Sequence, residues 1–447
     1  MTAMPPCRRA ECQSAADTLR TGEKEWEEML DLEAGLALVE EHASVLGPRR
    51  VRVAEALGRR LMVAVIADVD SPPWDRAMMD GFALRAADAQ PSGRDGTGGV
   101  LELEVVADLA AGDQSRMVIR PGACARIMTG APLPAGTDSV VPIECAVDDT
   151  AAAHAGASVR LLDARFRPGQ HVGLQGCAFR RGAEVLPAGT RMGPAAIGLA
   201  AEAGAVHVVV APRPRVAILS TGSELVSPDS VPGFGQTRNS NGPMLVAAVS
   251  ALGAEPIPLG MVVDRPEPLR AQVAMGLAAD VLVLSGGVSA GDLDLVPDTF
   301  RRCGVEKVFH KVRLKPGKPV WFGVLRRAGG ATTLVFGLPG NPASSLVCFE
   351  LFVRPAVRRL QGRPRNEWHL PRVRARLAAA AKGAEDRPVY SPCRLQKGPD
   401  GLIAIPLPWT GSSDMVGLAV ADGLIALPAG VRRAEEGSDV EVVLLHE

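Results

Sequence analysis

The chain is expected to be multidomain α/β and β. We predict a central doubly wound α/β domain, an inserted small β domain, an N-terminal mixed α/β domain and a C-terminal β-barrel domain. Three observations predict this. Between residues 211 and 362, short apolar runs alternate with segments of helical length, the pattern of a parallel sheet wound on both faces. From 100 to 165, and again after 363, runs with two-residue alternation are separated by Gly and Pro turns, which is the pattern of β domains. The third is length: at 447 residues the chain exceeds one ordinary core, so three or four domains are expected.

Residues 1–28 mix Cys, Arg, Glu, Ser and Thr without periodicity and read as a poorly ordered extension. An N-terminal mixed domain is assigned to two segments, 29–99 and 166–210. In it, Leu32, Leu36 and Val39 mark a helical face, a second apolar segment covers 54–66, and Ser71-Pro72-Pro73 stops any helix. A helix at 194–203 and a strand at 206–210 close it. The inserted β domain, 100–165, alternates as in Leu101-Glu102-Leu103-Glu104-Val105-Val106, with turns such as Ala111-Gly112-Asp113. In the α/β domain, strands are expected at 216–219, 257–263, 281–284 and 333–336. Helices are expected at 243–252, 266–278, 295–302 and 343–360. Leu402-Ile403-Ala404-Ile405, Leu424-Ile425-Ala426-Leu427 and the run 440–445 supply barrel strands in 363–447.

Bulk properties exclude whole classes of function. Lys and Arg total 49 against 50 Asp and Glu, a formal net charge of −1, which argues against a nucleic-acid or anionic-membrane partner. No apolar run approaches the roughly 20 residues that span a bilayer, and the N-terminus lacks a secretory apolar region. Eight scattered cysteines with no Cys-x-x-Cys pair fit a reduced, cytoplasmic setting and argue against structural zinc. Aromatic residues at 4% leave little for base-stacking platforms.

Ligands of open α/β sheets bind beyond the carboxyl ends of the strands, and the Gly-rich segments of this chain fall there. Ser285-Gly286-Gly287-Val288-Ser289-Ala290-Gly291-Asp292-Leu293-Asp294 follows four apolar residues: its glycines let N–H groups approach an anion, and Asp292 and Asp294 suit a bridging Mg²⁺. Ser220, Thr221, Gly222, Ser223 and Glu224 offer hydroxyls, a Gly and a carboxylate, and Asp264 ends the next strand. Asp264 is either a metal ligand or the N-cap of the helix from Pro266; Asp292 and Asp294 divide capping and cation binding between them. Pro339, Gly340, Asn341 and Pro342 make a stiff turn into a helix start with free N–H groups, to which Ser344 adds a hydroxyl. Lys315-Pro316-Gly317-Lys318-Pro319 places two lysines on a rigid turn suited to an oxyanion. There is no Gly-x-x-x-x-Gly-Lys-Ser/Thr loop and no convincing Ser-His-Asp set. Lone Cys177 reads as inert packing rather than a nucleophile.

With these segments goes Asp75-Arg76-Ala77-Met78-Met79-Asp80-Gly81-Phe82-Ala83, and then Arg126-Ile127-Met128-Thr129-Gly130-Ala131-Pro132. Together, in this order from about residue 30 to the C-terminus, they resemble the molybdopterin molybdenumtransferase (MoeA) family, which includes the E domain of gephyrin. The resemblance implies four subdomains and a homodimer. It places the active cleft between the α/β domain of one subunit and the N- and C-terminal parts of the other. It implies a reaction in which adenylylated molybdopterin binds with Mg²⁺, molybdate enters, AMP leaves and the dithiolene sulfurs capture molybdenum. By motif position it implies functional roles for Asp80, Thr129, Glu224, Asp264, Asp294, Lys315 and Lys318. Partners would be small-molecule substrates, the molybdopterin adenylyltransferase and molybdoenzyme maturation proteins.

Two departures stand out. Ala77 and Phe82 replace a serine and a tyrosine of the family pattern. Gly173 replaces an arginine, and Cys177 and Ala178 replace a Glu-Asp pair in a segment that lines the cleft in the family. These changes motivate an alternative, a catalytically weakened paralogue that carries molybdopterin or the molybdenum cofactor or acts as a scaffold. Adenylylation of the pterin is disfavoured by Val288-Ser289, where the related adenylyltransferases have Thr-Gly.

Overall fold

The computed structural model describes residues 29–89, 100–114, 116–288 and 295–446; the extension 1–28 and the stretch 289–294 lie outside the described residues. The chain forms two compact units. One is 50–210; the other joins the segment before residue 50 to everything from 211 on.

Helix α1 (Leu32–His42) opens the second unit. Its buried face is the predicted one, Leu32, Leu36 and Val39, and Gly35 faces Val312 and Phe352. Residues 29–49 therefore pack with the α/β domain, not with the N-terminal mixed domain expected for 29–99. The apolar stripe identifies a helix, but nothing in it names the surface it covers.

The α/β domain is built on a six-stranded sheet. Its strands are β1 (Arg215–Thr221), β2 (Glu255–Val262), β3 (Val281–Ser285), β4 (Glu306–His310), β5 (Trp321–Arg326) and β6 (Thr332–Leu338), in spatial order β2-β1-β3-β6-β5-β4. The four expected strands are the parallel ones, β2, β1, β3 and β6. The pair β5 and β4 adds an antiparallel edge that the chain's pattern did not reveal. β5 carries Gly323 in mid-strand, where a Cβ would sit 2.5 Å from the Glu306 carbonyl oxygen. The residue that permits this close pairing also disguises the strand.

Helices α2 (Asn241–Ala251), α3 (Pro266–Gly276) and α4 (Leu295–Arg302) connect the strands. The single helix expected at 343–360 is α5 (Pro342–Cys348), a π-helical turn at Phe349–Val353, and α6 (Arg354–Leu360). Apolar clusters cover both faces of the sheet, one around Phe322, Phe336 and Phe352, the other around Leu219, Leu284 and Phe300. Burial on both faces is why these strands read as continuous apolar runs. After α6, strands Arg372–Leu377, Val389–Gly398, Gly401–Pro406, Gly423–Leu427 and Asp439–Leu444 close into the expected barrel, leaving no free edge among them.

Unit 50–210 contains a five-stranded sheet in the order Ser139–Pro142, Gly81–Leu84, Ala123–Ile127, Leu101–Leu109, Ser158–Leu161. Gly81–Leu84 was expected outside the inserted β domain, yet it lies within that sheet. A Cβ on Gly81 would fall 2.0 Å from the Val141 carbonyl oxygen, so the neighbouring strand approaches as only glycine permits. A second core gathers Leu61, Val65, Leu186, Met192, Val208 and Val210. The apolar segment 54–66 is not one element but a 3₁₀ turn and a short strand. The entry strand Arg49–Arg52 pairs with the exit strand His207–Val210.

Candidate active site

Parallel registry aligns the carboxyl ends of three strands: Ser220 pairs with Ser285, and Ser285 with Leu338. One residue further on, Thr221 Oγ1 donates to Asp264 Oδ1 at 2.5 Å, and the Ser223 N–H donates to Asp264 Oδ2 at 3.2 Å. The N-cap position of α3 is Arg265, so Asp264 is an exposed carboxylate aimed by the 220–224 loop rather than a helix cap. The Glu224 carboxylate lies over Gly222, about where a Cβ would be, with Oε1 at 2.7 Å from that point. Thus two carboxylates flank Gly222.

Gly286 has φ +102° and Gly287 +60°, conformations that favour glycine. The Gly286 N–H donates to the Leu338 carbonyl at 3.0 Å, tying the Gly-rich turn to the turn 339–342. His310 Nε2 bonds the Val288 carbonyl at 3.0 Å and anchors the far side of that turn. Ser289, Asp292 and Asp294 lie outside the described residues.

The helix start after Asn341 differs from expectation. The Ala343 N–H donates to the Ser412 carbonyl at 3.1 Å, and Asn341 Nδ2 donates to Ser412 Oγ at 2.8 Å. A loop of the C-terminal domain thus takes up an N–H that the sequence left free.

The same domain holds the lysine turn. The Lys315 N–H donates to Pro388 O at 3.0 Å and the Tyr390 N–H to Lys315 O at 2.8 Å, while the Val312 N–H donates to Lys318 O at 3.0 Å and closes the turn. Beside it opens a cavity of about 740 Å³. Lys315, Lys318, Pro339, Asn341 and Ser344 line one side; Lys382, Arg387, Trp409 and Ser412 of the C-terminal domain line the other. Four cationic side chains line it, and no carboxylate does among the described residues. Trp409 Nε1 is buried with no hydrogen-bond partner among the described residues. The C-terminal wall of this cavity comes from the same chain. Lys382 lies on a short strand paired with Val431–Ala434 beside the barrel, Arg387 and Ser412 lie on loops, and no local motif marks them.

Asp80 and Thr129 meet in unit 50–210. Thr129 N and Thr129 Oγ1 both donate to Asp80 Oδ1 at 2.7 Å. The backbone N–H bond first, then the hydroxyl bond, hold the Asp80 carboxyl below the usual carboxylate range, and the Arg126 charge adds to this. Both residues are exposed. In the segment that departs from the family pattern, Gly173 is buried against Arg76 and Met78. Cys177 is exposed rather than packed away.

Three sequence profiles cover almost the whole described chain. They are the MoeA N-terminal region (domains I and II) over residues 30–204, a probable molybdopterin binding domain over 217–359, and the MoeA C-terminal region (domain IV) over 374–445. The molybdopterin molybdenumtransferase of Bacillus subtilis is 34% identical over 406 residues, covering 89% of this chain and 90% of the relative. The chain belongs to the MoeA family. A Nostoc molybdopterin molybdenumtransferase is 35% identical, covering 87% of each chain. Among solved structures, a MoeA protein from Pyrococcus horikosii superposes with a TM-score of 0.76 at 30% identity, over 94% of this chain and all of that one. In this chain, the strand-end carboxylates and the cationic cavity sit on the MoeA architecture.

Proposed function

We propose that this chain is a molybdenum-inserting transferase of cofactor biosynthesis, taking molybdate and adenylylated molybdopterin and releasing AMP. The observation that carries the reading is the division of charge in the α/β and C-terminal domains. Carboxylates stand at the strand ends, and a carboxylate-free cavity with four cations lies beside the turn 339–342. Such a pairing suits a substrate with a phosphate portion and a separate tetrahedral oxyanion.

The fully buried Ser220 Oγ has no partner among the described residues, and Gly286 closes on the carbonyl of the next residue, Thr221. The exposed Asp264 and Glu224 suit Mg²⁺, which takes one or two carboxylates together with substrate phosphates. Asp264, with Asp292 and Asp294, would hold it, and the ion would neutralise phosphate charge. Lys315 and Lys318, helped by Lys382 and Arg387, hold molybdate oxygens, and Ser344 adds a hydroxyl. Asp80, fixed by Thr129, is an ionised carboxylate at neutral pH. The homodimer, cytoplasmic location and transfer of product to maturation proteins belong to the same proposal.

The carrier reading keeps one specific support, the exposed Cys177 beside Ala178 where the family has two acids. Purified protein with adenylylated molybdopterin and Mg²⁺, with and without molybdate, separates the two. Molybdate-dependent AMP release over many turnovers is expected, and Lys318→Gln should weaken molybdate dependence about tenfold, the loss of one charge-assisted contact. Tight pterin binding without release would sink the transferase reading.

A further inference from the structure

We propose that Asn241 is a positioning residue that locks the Gly-rich turn and the turn 339–342 into one rigid unit; only what the two turns bind rests on the function proposed above. Asn241 is the first residue of α2 and is 8% exposed. Its Nδ2 donates to Ser285 Oγ at 2.6 Å and to the Gly340 carbonyl at 2.7 Å. Ser285 is the last residue of β3, immediately before Gly286, and Gly340 lies in the middle of the other turn.

One amide on a third element therefore spans both loops. Because the Gly340 carbonyl only accepts, the amide can sit only with nitrogen toward it. Oδ1 then points elsewhere, buried and without a hydrogen-bond partner among the described residues. Ser220 Oγ, on the adjacent strand end in register with Ser285, is likewise unpartnered. The helix start that carries Asn241 is itself fixed, since the Gly242 N–H donates to Asn239 Oδ1 at 3.0 Å. Asn241 Oδ1 and Ser220 Oγ are thus two buried polar atoms next to the clamp that no described residue satisfies. No linear motif links residues 241, 285 and 340, so the connection is visible only in the fold.

The test compares Asn241→Ala, Ser285→Ala and the double variant in the full chain, by hydrogen–deuterium exchange and by kinetics of AMP release. With Asn241→Ala, exchange in peptides covering 285–288 and 338–341 should quicken about tenfold while the barrel strands exchange as before. KM for adenylylated molybdopterin should rise about tenfold with kcat within twofold, the pattern of lost uniform binding. Ser285→Ala should reproduce the effect at 285–288 alone, and the double variant should add nothing there. Native exchange in either turn, or a lowered melting point with unchanged KM, overturns the proposal. If the native chain releases no AMP, the functional reading fails and the exchange data alone decide the clamp. If Asn241→Ala does not fold, Asn241→Ser and Ser285→Ala carry the same comparison.

Discussion

Replacing Gly286 by alanine would strike the turn at two points at once. Its φ of +102° is costly for an L-residue, about 1–2 kcal/mol. The new Cβ would lie 2.2 Å from the Thr221 carbonyl oxygen. That overlap can be relieved only by shifting backbone at the end of β1, a change of the kind that costs about 1–3 kcal/mol. Together the loss is about 2–5 kcal/mol, which for a domain of this size corresponds to roughly 4–20 °C in melting temperature. The displaced Thr221 also holds Asp264, so AMP release should fall further than stability alone explains. Gly340→Ala is the control. Its Cβ would meet only the Gly286 Cα, at an ordinary 3.7 Å, and its midpoint should stay within about 2 °C of the native chain. Scanning calorimetry of both variants, with AMP release measured below the transition, decides the matter. Equal midpoints for Gly286→Ala and Gly340→Ala would refute the steric argument.

Two further predictions concern unit 50–210. Thr129→Val removes the hydroxyl bond but keeps the stronger backbone bond to Asp80, so the carboxyl pKa should rise only part of the way to its ordinary value. Because a depressed carboxyl stays ionised to lower pH, any activity that needs this carboxylate should lose its acid limb at a higher pH in the variant; ¹³C-carboxyl NMR titration gives the shift directly, and an unmoved Asp80 would rule out the hydroxyl contact. Cys177→Glu with Ala178→Asp should leave the fold intact, since this backbone is held by the Cys177 N–H to Leu174 O at 3.1 Å and the Ala178 N–H to Ser71 O at 2.9 Å. KM for adenylylated molybdopterin should change by less than about threefold; a gain of tenfold or more would show that the missing acids limit this chain.

Local patterns exposed those parts of the architecture whose cause is itself local. Four strands buried on both faces announce themselves as apolar runs, and the turns at their ends carry Gly, Pro and carboxylates in sequence, so Thr221, Asp264 and Gly286 were legible. The edge strands β4 and β5 were not: β4 is short and only partly buried, and Gly323 interrupts the apolar run of β5. The attachment of 29–49 to the α/β domain was hidden for another reason: amphipathicity fixes a face, not its partner. The cationic cavity was half visible. Lys315 and Lys318 stand in a motif, whereas Lys382, Arg387 and Ser412 gain meaning only when the barrel docks its backbone on Lys315. Asp80 and Thr129 lie 49 residues apart in the sequence and are joined by neighbouring strands. Only the resemblance paired them before the fold did.

The pairing of Arg49–Arg52 with His207–Val210 makes residues 50–210 a closed excursion from the rest of the chain. Both covalent links to the other unit leave from adjacent strands, so a lengthened loop or an altered strand inside the excursion changes nothing in the span between those links. The segment holding Gly173, Cys177 and Ala178 lies wholly within that loop of chain. A change there leaves the chain's path into the six-stranded sheet as it is, and the sheet's own strands keep Ser220, Ser285 and Leu338 in register.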